Sequence, residues 1–189
     1  MNYLAQTRAI LTAGLLCAFT ASATSVPRLS FEELTDRSEL VVSGQISRSW
    51  ADWDSSHHFI WTRYELAVSG VYKGAARSSV VLSEPGGEVG GMGQSIAGSV
   101  RYAVGDKVVV FLERVPNGYL RTTGWSQGKF MVDSSGRVHG GGALAGIDLV
   151  QTNVAQAVRD LPVDGIATSE LAARVAARVR RQRKQRGVQ

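Results

Sequence analysis

The chain has 189 residues with 21 basic and 16 acidic side chains, enough for one ordinary domain with its own core. Its single cysteine, Cys17, excludes an intrachain disulfide. The formal charge of +5 belongs to one end: seven basic residues and no acid lie between Arg174 and Gln189, and Arg8 is near the start. Setting those eight aside leaves 13 basic against 16 acidic residues, so the body carries −3 and offers no basic face for nucleic acid.

Residues 1–23 read as a secretory signal peptide. Arg8 supplies a cationic start, an uncharged apolar run extends from Ala9 to Phe19, and Ala21-Ser22-Ala23 forms an A-x-A cleavage site. The apolar run falls short of the roughly 20 residues that span a bilayer, so no transmembrane span is expected after cleavage. Cys17 leaves with the leader; Leu16 before it does not suit a lipid-attachment site. The mature chain is then exported, periplasmic or extracellular, without a thiol.

Ser30 followed by Glu33 is a capping-box pair, which predicts a short helix over Phe31–Arg37 with Leu34 inward. Glu39–Ile46 reads as a strand, with Gly44 as a bulge or bend. Residues 49–58 read as a polar loop. Phe59–Tyr72 alternates as a long half-buried strand; Phe59 and Trp61 share one face, Ile60, Thr62 and Tyr64 the other, and one set is core. Ser79–Ser83 makes another strand, and Pro85–Gly93 is too glycine-rich for anything but a loop. Lys107–Leu112 is the most apolar strand and is expected to be central, with Val109, Phe111 and Val41 buried. Pro116-Asn117-Gly118 predicts a hairpin to Tyr119–Thr123. Gly128–Asp133 and Arg137–His139 follow as strands around a Ser134–Gly136 turn, and Gly140–Gly142 marks the end of the β region. Beyond it, Leu149, Val150, Val154, Ala157, Val158 and Leu161 fit a helical stripe stopped by Pro162. A second helix opens at Thr168 as N-cap and continues through Leu171, Val175 and Val179.

Short strands joined by glycine turns predict a mainly β fold: a small antiparallel OB-like barrel with a short N-terminal helix and a helical C-terminal extension. A sandwich and a barrel of different strand order are the alternatives. The organisation is residues 1–23 leader, 24–142 barrel domain and 143–189 helical extension with a basic tail. The strands LVVSGQI, YELAVSGVYKG and GDKVVVFLE resemble the netrin/TIMP-like branch of OB-fold domains, and also uncharacterised exported bacterial proteins of that pattern, over roughly residues 29–133. The resemblance implies a fold, not an activity. TIMP-type inhibitors chelate a protease zinc through an N-terminal cysteine, and a mature start at Thr24 has none.

Asp52-Trp53-Asp54-Ser55-Ser56-His57-His58 gathers carboxylates and imidazoles, yet matches no metal-site spacing; adjacent strand residues point to opposite faces. Trp50, Trp53 and Trp61 surround the same segment. With His57 and His58 they form a candidate ligand-binding group, or they pack over a barrel end. The Gly86–Gly93 segment lacks the lysine and the strand-loop-helix context of a phosphate loop, and His139 reads as a surface residue. In the tail, Arg178, Arg180, Arg181, Arg183, Lys184 and Arg186 either contact an anionic surface or form a solvated helix end.

These observations imply an exported binding or accessory module of the cell envelope, with an envelope protein or anionic envelope surface as partner and no cofactor or metal. The alternative is an envelope enzyme, metal-assisted, using Asp52–His58. Intact-mass spectrometry of the exported protein is expected to give Thr24 as its first residue; a product retaining Cys17 would contradict the export reading.

Overall fold

The structure is a computed structural model that describes residues 26–75, 77–140, 149–150 and 163–187. The leader reading falls outside them, as does most of the helical stripe expected at 149–161. Helix α1 (Phe31–Arg37) forms as the capping box dictates: Ser30 Oγ accepts from Glu33 N at 3.1 Å, and Glu33 Oε2 accepts from Ser30 N at 2.8 Å. At its far end the Lys73 ammonium donates to Thr35 O at 2.6 Å, placing a cation where the helix carbonyls are unpaired.

The fold is mainly β. Its seven-stranded antiparallel sheet runs β10 (Val138–Gly140), β9 (Lys129–Val132), β7 (Lys107–Arg114), β2 (Leu40–Trp53), β3 (Ile60–Lys73) and β4 (Ser79–Pro85), and β8 (Leu120–Thr122) joins β7 beside β9. The central place of β7 and the hairpin to β8 agree with the sequence. In β3 the set Ile60, Thr62, Tyr64 and Leu66 is buried, as one of the two alternating faces had to be. Between Ser43 and Gly44 the β2–β3 register shifts. A Cβ on Gly44 would lie 2.1 Å from the Ala67 carbonyl oxygen, so only glycine lets the backbones approach there.

The sheet is not closed into a barrel. It curls until β4 lies beside β8, yet no ladder joins those strands. Pro85 has no N–H to donate, Gly86 turns the chain away at φ 92°, and β8 has only three residues. Four other expectations also change. β2 continues to Trp53, so the connection to β3 is confined to residues 54–59. The glycine segment forms a hairpin, β5 (Gly87–Val89) and β6 (Met92–Gln94), with its turn at Gly90 and Gly91, both at positive φ. Leu149–Val150 is a strand, β11, parallel to β1 (Val26–Pro27), so the β region does not end at Gly142. The N-cap of helix α2 (Thr168–Arg186) is Ala167, with no side-chain cap.

Two apolar clusters share the sheet. Inside the curl lie Leu40, Val42, Ile46, Leu66, Leu82, Val108, Val110 and Leu112. On the other face Val41, Val109, Phe111, Phe130 and Val138 pack under α1 and α2, which contribute Leu34, Leu171 and Val175. Strand β7 is apolar without a break from Val108 to Leu112 because both of its faces are covered. The chain ahead of α2 also guards the edge of the sheet: Val138 N donates to Ile166 O at 2.9 Å and Gly165 N to Val138 O at 2.7 Å.

Val41, Val109 and Phe111 are fully buried, and so are Leu171 and Val175 of α2. Phe111→Ala should cost about 3–5 kcal/mol and Leu171→Ala about 2–5 kcal/mol in denaturant unfolding. A loss below about 1 kcal/mol for Leu171→Ala would mean that α2 is not part of the cooperative unit.

Candidate functional site: a cation–aromatic strip on the β2–β3 ribbon

Beyond Gln45, strand β2 leaves β7 and continues as an edge strand paired with β3, forming the β2–β3 ribbon, while β4 pairs with the other side of β3 from Thr62 to Ala67. Opposed residues of an antiparallel pair share a face, so the register Arg48↔Glu65, Trp50↔Arg63 and Asp52↔Trp61 puts these six side chains together, away from the inner cluster. Arg48 lies over the Trp50 ring at 4.8 Å. Arg63 donates through Nε to both Asp52 oxygens at 3.0 Å, donates to the Tyr119 hydroxyl at 3.0 Å, and covers the Tyr119 ring at 4.6 Å. Tyr119 meets Trp61 edge-on at 5.0 Å. Arg121 lies over Trp125 at 4.8 Å and at 6.0 Å from the centroid of Trp61. The result is a continuous strip of half-buried rings and guanidinium planes held by mutual contacts. Trp125 takes the left-handed conformation, φ 61°, at a cost of about 1–3 kcal/mol, which places a strained bulky residue at the end of the strip.

Behind the strip, where the β4–β8 ladder is missing, sits Glu84. Its carboxylate is buried, and Oε1 accepts from Thr122 N at 2.7 Å. Oε2 lies 3.7 Å from Arg121 Nη2, too far for a hydrogen bond, and neither Oε2 nor Arg121 Nε has a partner. Burial pushes the Glu84 carboxyl up to about 7, with Arg121 and Thr122 opposing the rise.

The opposite face of the ribbon borders a groove of about 540 Å³ beneath the β5–β6 hairpin, lined by residues that include Ser49, Trp50, Thr62, Tyr64, Gln94 and Arg101. The hairpin lies close because Gly87 has no side chain: a Cβ there would be 2.5 Å from Thr62 Oγ1. Thr62 Oγ1 donates to Gly86 O at 2.6 Å, and Ile60 N donates to Gln94 Oε1 at 2.9 Å.

The sequence candidates separate in three dimensions. Trp50 and Trp61 join the strip. Trp53 opposes Ile60 and stacks at 6.4 Å on His57, which is itself left-handed at φ 56°. His58 is exposed at the tip, where its backbone N–H donates to Asp54 Oδ1 at 2.9 Å. The two loop carboxylates are committed, Asp52 to Arg63 and Asp54 to the turn. Among the described residues no three His, Cys, Asp or Glu side chains gather to hold a metal. In the tail, Arg178 pairs with Asp36, while Arg180, Arg181, Arg183, Lys184 and Arg186 are exposed. His139 is half-exposed, and its Nε2 lies 3.0 Å from Asp133 Oδ2. The hydrogen bond to Asp133 raises its pKa, and Asp164 adds to the effect.

Sequence reasoning missed Arg63, Tyr119, Arg121, Trp125 and Glu84. The pattern Arg48-x-Trp50-x-Asp52 against Trp61-x-Arg63-x-Glu65 was a readable signal once β2 was extended, but nothing local joins Tyr119, Arg121 or Trp125 to it. Compared with known proteins, the chain matches no family model and no curated protein.

The Glu84 carboxyl titrates from its ordinary 4.5 when unfolded to about 7 when folded. Folding therefore favours its neutral form: its contribution is fully present below about pH 4.5 and is lost as pH rises through about 7. The difference is of the order of 3 kcal/mol. Denaturant unfolding from pH 4.5 to 8 should show this loss, and Glu84→Gln should flatten it. An equal slope in the variant would place the titrating group elsewhere.

Proposed function

We propose that the chain is an exported, non-enzymatic binding or accessory module of the cell envelope, an OB-like barrel lacking its last ladder, whose ligand face is the β2–β3 ribbon. The observation that carries this reading is the strip itself. Trp61, Tyr119 and Trp125 keep part of their rings exposed, while Arg63 and Arg121 are held flat against them. Such a surface is pre-organised, so a ligand meets little conformational entropy cost when it stacks there. Flat groups with apolar faces and polar edges, as in the sugar rings of an envelope glycan, match its chemistry.

The meander β2–β3–β4, the return of β7 to β2 and the position of β8 beside β4 support the OB-like reading. The cationic start, apolar run and A-x-A site support export and an envelope setting. In that setting the partners are envelope components, and the chain needs no cofactor. The engagement of Asp52 with Arg63 and of Asp54 with its own turn weighs against the metal-assisted alternative.

Wild-type protein is expected to be retained by immobilised envelope polysaccharide, and Trp61→Ala and Trp125→Ala each to weaken retention about tenfold. Thermal unfolding of both variants checks that the sheet persists. Equal retention of wild type and both variants would remove the strip from the binding surface. Stoichiometric zinc in the purified protein would favour the enzyme reading.

A further inference from the structure

The last turns of α2 carry the densest charge in the molecule, and the fold does not use it. Leu171, Val175 and Val179 fasten the first part of the helix to the core. Arg174 is neutralised by Glu170 and Arg178 by Asp36. Beyond Val179 the chain reads Arg-Arg-Gln-Arg-Lys-Gln-Arg, without an apolar residue. Every residue from Arg183 to Gly187 is exposed. That is more than one full helical turn, so the cations of the last turn face solvent, with the Lys73 ammonium as a further positive charge nearby. Among the described residues Arg180, Arg181, Arg183, Lys184 and Arg186 have no acidic partner within ion-pair distance, and the rest of the chain, with 16 basic against 16 acidic residues, carries no net charge of its own.

We propose that the free end of α2 docks the protein on an anionic lipid surface, with Arg180, Arg181, Arg183, Lys184 and Arg186 as the contacts. The placement of charge decides among polyanions. A nucleic acid is tracked by a basic stripe or groove, whereas these cations surround the helix and meet a flat surface end-on. Without an apolar side the segment does not insert, so the attraction is electrostatic. The rest of the chain has no net charge to draw it to the same surface, so the molecule is oriented with the end of α2 toward it. The rigid attachment through Leu171 and Val175 makes the tail a fixed contact instead of a loose tether.

The test uses the exported full chain and vesicles of phosphatidylcholine alone or mixed with phosphatidylglycerol. Co-sedimentation is expected only with the mixed vesicles at about 0.01 M salt, where fields reach about 30 Å, and release near 1 M, where they reach about 3 Å. The variant Arg181→Gln, Arg183→Gln, Lys184→Gln, Arg186→Gln should bind several hundred-fold more weakly, about fivefold for each charge removed. A control with the same change in net charge takes four exposed cations elsewhere, Arg28→Gln, Arg37→Gln, Arg77→Gln and Lys107→Gln, and should stay within a few-fold of wild type. Both variants should keep the wild-type melting temperature. The proposal is overturned by equal loss in the two variants, by full binding of the tail variant, or by binding that ignores lipid charge and salt. Absence of vesicle binding by wild type at low salt overturns it too, whether or not duplex DNA is bound instead. The lipid and salt comparisons on wild type need no variant.

Discussion

Strands β2 and β7 are paired at the middle of the sheet and covered on both faces, and the other layers depend on that double burial. Val41 and Val42 are neighbours in sequence, point to opposite sides, and are both fully buried. The same holds along β7 from Val108 to Leu112. A strand with one wet face would alternate; these cannot, because the curled sheet closes over one side and α1 with α2 over the other. Without α2 the Phe111 side of β7 would lose the Leu171 and Val175 contacts. The C-terminal helix therefore belongs to the core, although its outer half is among the most polar stretches of the chain.

The position of the candidate site follows from where the double layer stops. β7 accompanies β2 only as far as Gln45, and past that point one face of the β2–β3 ribbon is left uncovered by the core. That face carries alternating arginine and tryptophan, while the other keeps Ile46, Tyr64 and Leu66 in the inner cluster and borders the groove. At the neighbouring seam the strands β4 and β8 approach without pairing, and a single carboxylate, Glu84, bonds to the Thr122 amide where a ladder would have run. A side chain is a poor substitute for a ladder. It leaves Glu84 Oε2 and Arg121 Nε unsatisfied, and their burial makes this seam the most costly polar region among the described residues. Arg121 belongs to both regions, to the strip through Trp61 and Trp125 and to the seam through Glu84. A change of protonation at Glu84 thus reaches the aromatic surface through one guanidinium.

Charge and aromatic surface are separated in the same molecule. In the ribbon, Arg63 lies over the Tyr119 ring and is held by Asp52 and the Tyr119 hydroxyl, so its charge is used in fixing geometry. At the end of α2, Arg180, Arg181, Arg183 and Arg186 have no acidic partner among the described residues. One residue type serves two ends because its guanidinium is always charged, stacks on rings and is more weakly hydrated than an ammonium.

Local chemistry was legible in the sequence. The capping box of Ser30 and Glu33 set the bounds of α1, the alternation from Phe59 set the two faces of β3 but not which of them is core, and Pro116-Asn117-Gly118 set the hairpin, since each depends on residues a few positions apart. The apolar run from Val108 marked a central strand for the same reason. What failed was tertiary in cause. Ser49–Trp53 looked like a loop because its pattern mixes charge and tryptophan, and only its pairing with Ile60–Tyr64 makes it a strand. The glycine segment looked irregular because its hairpin depends on the close approach of Gly87 to Thr62. A closed or nearly closed barrel was expected from the short strands and glycine turns, but Pro85, Gly86 and a three-residue β8 leave the sheet open. Trp50 and Trp61 were singled out by type, whereas Tyr119, Arg121 and Glu84 entered the site through contacts between residues 37 to 60 positions apart, and Trp125 followed through Arg121. Sequence determined which segments could be helix, strand or turn; the packing of the ribbon against β8 decided which side chains form a surface, because that depends on distances in space that no local pattern encodes.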